Sequence, residues 1–195
     1  NLICLQSKLL AGFNISCVGD ERNYSYTSSR SGNTIADKVS KKILNSINKN
    51  FKKYDWMQRG SDERQFCSPG VNLPFCTLSR SKFGTYKEYH TSADNKSYMN
   101  IDKILNSIDQ IEEFLKLNDY NCNIYSQSPY SEPQLGKRNL YDKLNNKIIQ
   151  RNTIKKQSNS LRYYLTNILS LSDGQHTLVD IANKLEVSSF LILEY

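Results

Sequence analysis

The chain has 195 residues and a formal net charge of +7, with a pI near 9.1; that length builds one good core, or one core and a small appendage. Hydrophobic residues make up 38% and mean hydropathy is −0.62, yet there are 13 tyrosines, which separates the chain from low-hydrophobicity disorder. The positive excess is spread along the chain rather than blocked, so it reads as a basic compositional style before it reads as nucleic-acid or anionic-polymer binding.

The five cysteines (Cys4, Cys17, Cys67, Cys76 and Cys122) are odd in number and contain no C-x-x-C pair. That excludes a thiolate zinc finger and a tidy disulfide framework and predicts reduced thiols in a cytoplasmic protein. No apolar run of about 18 residues is present to span a membrane. The opening "NLICLQSKLLAGF" has no basic n-region with a small-residue cleavage site, so it is read as a chain entered partway rather than as a signal peptide.

"GFNISCVGD", Gly12 to Asp20, alternates as a strand through Phe13, Ile15 and Cys17 and ends in a Gly-Asp turn. "RNYSYTSSR" offers Tyr24 and Tyr26 on one face. A helix is then predicted from a T-x-x-D start at Thr34 and Asp37, with Ile35, Val39, Ile43 and Ile47 recurring every fourth residue and Leu44 and Phe51 widening the stripe. "KKYDWMQRG" reads as the next strand and leads into the charged loop "RGSDERQFCSPG". "VNLPFCTLSR" is a short strand interrupted by Pro74, hence an edge or a strand start.

After "HTSADN" a second helix carries Ile101, Ile104, Leu105, Ile108, Ile111 and Leu115 at helical spacing, with Asn100 able to cap it. "NCNIYSQSPY" reads as extended, "SEPQLGKRNLYDKLNNK" as a loop, and 147–160 as a polar linker. Alternating strands and helices through residue 120 predict an α/β mixed sheet with covering helices. The tail differs: one helix with Leu161, Leu165, Ile168 and Leu169, a Ser-Asp-Gly turn, a capped helix from Thr177, and a third helix near Ser188. This is helix-turn-helix spacing. It stops before a recognition helix is completed or wing strands appear. The predicted domains are residues 1–150 and 158–195.

Candidate chemistry is concentrated in few residues. His90 follows a predicted strand end, with Asp94 four residues on as a carboxylate that could fix its tautomer. Asp20 ends a strand at a turn, where α/β sheets place catalytic carboxylates and where ordinary turn aspartates also occur. Asp62 and Glu63, flanked by Arg59 and Arg64, read either as a self-paired salt-bridge cluster or as an orienting carboxylate beside arginines that bind a substrate carboxylate bidentately. Glu112 and Glu113 read as a solvated helix face.

"YHTSADN" is similar to the segment carrying the last histidine ligand in the zinc aminopeptidase clan of the bacterial leucyl aminopeptidase and glutaminyl cyclase type, and "GSDERQF" resembles that clan's Gly-Ser-Asp-His-x-x-Phe loop. With "GFNISCVGDERNYSYTSSRSGNTIAD", "RGSDERQFCSPGVNLP", "EYHTSADN" and "SEPQLGKRNLY" in order, the chain resembles the C-terminal half of a bacterial aminopeptidase-like family with a C-terminal winged-helix domain, often associated with polysaccharide-biosynthesis loci. The resemblance implies a partial phosphorylase/hydrolase-like sheet, two zinc ions in the complete protein, His90 and Asp20 as metal ligands, and Asp62 as a residue that orients them. Arg59, Arg64, Tyr89 and Arg30 are candidates for substrate. Glu63 stands where the clan often has histidine.

The implied reaction is attack of a metal-activated water on an amide, with a peptide or an amino-acyl conjugate as substrate. The clan's first His-x-Asp pair and Glu-Glu pair are not found here, and the other histidine, His176, lies in the tail. This chain alone is therefore expected to be inactive. The rival reading is a non-catalytic binding module or pseudo-enzyme whose winged helix contacts a protein or nucleic acid. Arg162 and Lys184 against Asp173, Asp180, Glu186 and Glu194 favour a protein over nucleic acid. No membrane partner is expected, and a homo-oligomer is compatible with the sequence.

Overall fold

The computed structural model describes residues 2–47, 50–138 and 161–193, which form two compact units, Asn1–Asp119 and Tyr120–Tyr195. The first unit contains β1 (Gly12–Ile15), β2 (Ser25–Thr27), α1 (Ile35–Ile47), β3 (Lys52–Tyr54), α2 (Glu63–Phe66), β4 (Phe75–Ser79) and α3 (Ile101–Tyr120). Its sheet has the order β1-β4-β2-β3. β1 runs parallel to β4, β2 antiparallel to β4, and β3 parallel to β2, so the expected mixed sheet is present.

Side chains alternate across a strand. The register therefore puts Phe13, Tyr26, Cys76 and Leu78 on one face and Asn14, Ser25, Thr27, Thr77 and Ser79 on the other. The first face is apolar and lies under α1 and α3: Phe13 meets Phe114 at 6.1 Å between ring centroids, and Ser40 Oγ lies 3.2 Å from Cys76 Sγ. Val39, Ile43, Leu44, Phe114 and Leu117 are buried there, each worth about 1.5–3 kcal/mol of removal from water.

The second face is a buried layer of hydroxyls. Ser25, Thr27, Thr77 and Ser79 are each 1% exposed or less, and Ser25 Oγ lies 2.9 Å from Ser79 Oγ. An apolar-in, polar-out strand pattern normally leaves such residues in water; here they are covered.

α1 begins where the Thr34–Asp37 pattern places it. The buried Asp37 carboxylate accepts from Thr34 N and Oγ1, both at 2.8 Å, from Ser29 N at 2.9 Å and Ser29 Oγ at 2.5 Å, and from the Tyr26 hydroxyl. Burial pushes this carboxyl upward, but the hydrogen bonds from Ser29, Tyr26 and Thr34 outweigh it and hold the group below the ordinary range. Asn100 caps α3, its Oδ1 accepting from Lys103 N at 3.2 Å.

Three expectations shift. β3 covers only Lys52–Tyr54, because Asp55 accepts from Met57 N and closes a capping box with Gln58, turning the chain into a 3-10 turn at Trp56–Gln58. Pro74 does precede a strand start, but β4 lies between β1 and β2 rather than at an edge. The predicted stripe of α3 is half turned to solvent: Ile101, Leu105, Ile108 and Leu115 are exposed, while Ser107, Phe114 and Leu117 are buried.

The second unit contains β5 (Asn123–Tyr125), α4 (Leu161–Leu171), β6 (Asp173–Thr177), α5 (Leu178–Lys184) and α6 (Ser189–Leu193). β5 pairs antiparallel with β6, Asn123 opposite Thr177 and Tyr125 opposite Asp173. The boundary therefore falls at residue 119 rather than 150: the "NIY" segment assigned above to the first domain is a strand of the second unit. The Ser-Asp-Gly stretch is not a turn but the entry to β6. Gly174 has φ +78, and a Cβ there would overlap the Tyr125 ring, so the strand needs glycine. Thr177 caps α5 in a capping box with Asp180, as its position predicted. Among the described residues, Leu135, Leu178, Val179, Ile181, Ala182, Leu185 and Ile192 are the unit's buried apolar residues. The linker predicted at 147–160 lies outside the described residues.

Candidate functional site

Because β1 and β4 are parallel neighbours, their carboxyl ends share one edge of the sheet, the place where open α/β sheets bind ligands. Ser16 N donates to Leu78 O at 3.1 Å and Arg80 N to Cys17 O at 3.0 Å, so the pairing extends past both strands. Cys17 leaves β1 with φ +53, which re-aims the chain toward Asp20. That aspartate is 5% exposed. Its Oδ1 accepts from Arg22 N at 2.8 Å and its Oδ2 from Ser81 N at 3.0 Å. Each oxygen keeps a second lone pair, so the carboxylate ties the two strand ends together and remains able to act as a donor toward a cation.

Arg22 organises the surface above it. Its Nη1 donates to Tyr98 Oη at 3.1 Å and Ser81 Oγ at 3.2 Å, and its guanidinium lies 5.7 Å from the Tyr86 ring centroid. Its Nη2 is 4.0 Å from Glu88 Oε2, a buried oxygen that takes no hydrogen bond among the described residues. Burial pushes the Tyr98 hydroxyl up, and the Asp20 carboxylate adds to the shift.

His90 is exposed and adopts φ +59. Its ring stacks on Tyr89 at 3.9 Å and 16°. Tyr89 meets Tyr86 edge-on at 5.5 Å, and Tyr86 stacks on Tyr98 at 5.4 Å. A continuous aromatic train thus runs from His90 to Tyr98, which in turn senses the Asp20 charge. Tyr86 Oη donates to Cys17 Sγ at 3.4 Å and anchors the train to the end of β1; burial, then this bond, raises the Tyr86 hydroxyl. Asp94 does not orient His90: the imidazole takes no hydrogen bond among the described residues, so both ring nitrogens are available.

The charged loop folds differently from the expected acidic pair. Glu63, not Asp62, is its working carboxylate. It is fully buried. Its Oε1 accepts from Gly60 N at 2.8 Å and Ser61 N at 3.0 Å, and its Oε2 from Asn14 Nδ2 and Thr77 Oγ1, both at 2.9 Å. Burial pushes this carboxyl up, but the Ser61 and Gly60 amides and the Thr77 hydroxyl hold it below the usual value. Glu63 therefore pins the loop onto the hydroxyl face of the sheet and has no lone pair to spare for a substrate proton.

Asp62 is exposed and makes no side-chain capping bond at the start of α2. Arg59 lies over the Trp56 ring at 4.7 Å, and Arg64 Nε donates to Ser61 O at 3.2 Å. Neither forms an ion pair with Asp62 or Glu63 among the described residues, so the self-paired salt-bridge alternative is not what this loop adopts. Arg30 is exposed, its Nη1 3.5 Å from Asn72 Oδ1. The loop does meet the aromatic train: a Cβ on Gly60 would overlap the Phe83 ring, and Phe83 packs against Tyr89 at 6.4 Å.

Among the described residues no group of three or more His, Cys, Asp or Glu could hold a metal ion. A catalytic zinc needs about three protein ligands. Among the described residues the donor set does not complete such a site. His176 sits in the second unit with its Nδ1 3.0 Å from Asp173 Oδ1.

Sequence reasoning missed Arg22, Glu88 and Tyr98. Arg22 was detectable as the residue two beyond Asp20, where an Asx turn places a backbone N–H; Glu88 and Tyr98 carry no such signal, since both meet Arg22, which lies more than sixty residues away in another loop.

Fold and site together define an α/β domain with a mixed sheet, followed by a winged helix-turn-helix unit. The chain belongs to the family described as a domain of unknown function (DUF4910), whose model matches residues 2–121, and residues 123–194 match a winged helix-turn-helix family. A protein of Clostridium acetobutylicum described as a "putative polysaccharide biosynthesis protein with aminopeptidase-like domain" is 36% identical over 173 residues, covering 89% of this chain and 38% of that protein. A crystal structure from the same organism, described as a "putative peptidase", superimposes with a TM-score of 0.77 at 33% identity, covering 96% of this chain and 39% of that one. The chain thus spans less than half the length of these relatives.

Proposed function

We propose that the first unit is part of a zinc-dependent, aminopeptidase-like hydrolase that cleaves an amide bond in a peptide or a small amino-acyl conjugate. The observation that carries this reading is that Asp20 and His90, the positions resembling metal ligands, follow the adjoining carboxyl ends of the parallel strands β1 and β4. The relatives' names supply the reaction class. Asp20 and His90 bring two donors to a site whose other ligands lie outside this chain, and zinc, when bound, supplies the activated water.

In this reading Tyr89, stacked on His90, walls the substrate, and the exposed Arg59 and Arg64 meet a substrate carboxylate. Asp62, exposed at the start of α2, takes the role of orienting the metal ligands that the resemblance implies. All five cysteines are free, which fits a cytoplasmic protein, and no helix among the described residues is long and apolar enough to cross a membrane.

The test is metal analysis of the whole protein, followed by zinc-dependent release of N-terminal residues from a peptide panel. His90→Ala is expected to lower both bound zinc and turnover, with circular dichroism unchanged because the imidazole makes no hydrogen bond among the described residues. Wild-type protein that binds no zinc and releases nothing refutes the reading and leaves the binding-module alternative.

A further inference from the structure

A cavity of about 550 Å³ opens in the first unit beside β3 and the end of β4. Its charged lining is Arg22, Lys52, Arg80 and Lys82 against Glu21 alone, and Tyr54 and Ser81 add hydroxyls. The volume is that of a small-molecule site. The lining carries an excess of three positive charges, the four cations less one carboxylate.

Arg80 shows that this excess is built in rather than incidental. It is 5% exposed. Nε donates to Ser107 Oγ at 3.0 Å, and Nη2 to Asn106 Oδ1 at 2.7 Å and to Tyr24 Oη at 3.0 Å. Nη1 has one acceptor, Arg22 O at 3.0 Å, so one of its two N–H groups is unspent among the described residues. Every acceptor is neutral, and the nearest aromatic support is the Tyr24 ring at 4.3 Å. No carboxylate among the described residues pairs with this guanidinium.

A buried cation without a counter-charge is costly, and here it borders a cavity with three more cations. Lys82 Nζ is held 4.2 Å from the Phe83 ring centroid and 5.3 Å from that of Tyr54, again without an acidic partner among the described residues. Arg22 already reaches Glu88 Oε2 at 4.0 Å, which leaves Lys52, Arg80 and Lys82 against Glu21, and a single carboxylate would compensate only part of that. A doubly charged group with several acceptor oxygens would match both the charge and the fork of Arg80.

We propose that this cavity binds a dianionic phosphate group, as inorganic phosphate or as the phosphate of a small monoester. The cavity adjoins the Asp20 site, since Arg22 and Ser81 belong to both, but Lys52, Arg80 and Lys82 have no part in the zinc reading.

The experiment is titration calorimetry on the whole protein at fixed ionic strength, with inorganic phosphate, glucose 6-phosphate, acetate and glucose as probes. Saturable binding of the phosphates, with acetate and glucose inert, is the expected result. The double substitution Lys52→Glu, Lys82→Glu changes one exposed and one half-buried side chain and is expected to weaken phosphate binding by about tenfold or more, with circular dichroism confirming the fold. Equal affinities for phosphate and the ester would assign the cavity to free phosphate, and tighter binding of the ester to a phosphorylated metabolite. Acetate binding as tightly as phosphate, no saturable phosphate binding below about 10 mM, or an unchanged affinity in the double variant would each overturn the proposal.

Discussion

Glu63 gives the sharpest quantitative test of the loop architecture. Its carboxylate is buried and accepts from two backbone amides, the Asn14 amide and the Thr77 hydroxyl at 2.8–3.0 Å. Hydrogen bonds to an ionised group contribute about 1.5–3 kcal/mol each, and they are not additive. Glu63→Ala removes the acceptor for four donors and leaves those in the interior unpaired, so a loss of about 3–5 kcal/mol is expected.

Glu63→Gln keeps the volume and one carbonyl oxygen for the Gly60 and Ser61 amides, while Thr77 can rotate its hydroxyl to accept; the expected loss is about 1–2 kcal/mol. Urea unfolding of both variants against wild type, read at the midpoint, measures these losses. The pH dependence is the discriminating part. The folded pKa of Glu63 lies below the ordinary 4.5, so its contribution is full above the unfolded value and is lost as pH falls through the folded value. The wild-type advantage over Glu63→Gln should therefore shrink on acidification below about 4.5. An advantage that stays constant from neutral pH into that acid range would refute the ionised, hydrogen-bonded role assigned to Glu63.

Asp37→Asn is expected to destabilise the first unit by about 2–4 kcal/mol in the same unfolding assay, because an amide nitrogen would replace an oxygen that accepts from Ser29 and Thr34; a loss below about 0.5 kcal/mol would contradict the Asp37 network. In the second unit, the hydrogen bond from His176 is the main reason the exposed Asp173 carboxyl titrates at about 2. His176→Ala should move that titration toward the ordinary 3.8 in a carboxyl-carbon NMR titration, and no movement would show that the Gln175 and His176 backbone amides suffice.

Periodicity was a good guide where a side chain's role is local. The T-x-x-D start at Thr34–Asp37, the Asn100 cap and the Thr177 cap are all placed by contacts within three residues, and the structure has each. It failed where partners are distant. The α3 stripe offered six apolar positions to a core, yet the helix face against the sheet is chosen by Phe13, Tyr24 and Arg80, so Ser107 and Phe114 turn inward. The domain boundary was misplaced because β5 is only three residues long and its partner lies some fifty residues on; nothing local marks it as belonging to the second unit. In the site, the Asp62–Glu63 doublet drew attention to the right loop, but only the register of β1 and β4, which brings Asn14 beside Thr77, decides which of the two carboxylates goes in.

The two sides of the first unit's sheet are bonded by different forces. Helices close one side by exclusion of water, and a single carboxylate on a bed of hydroxyls fastens the segment from Gly60 to Phe66 onto the other. Protons reach each side through one carboxylate, Asp37 at the start of α1 and Glu63 under the loop. Both carboxyls are held below their ordinary range, so it takes acid beyond that range to loosen the loop on the side where Phe83 and Tyr89 meet it, and the same acid reaches the start of α1 opposite.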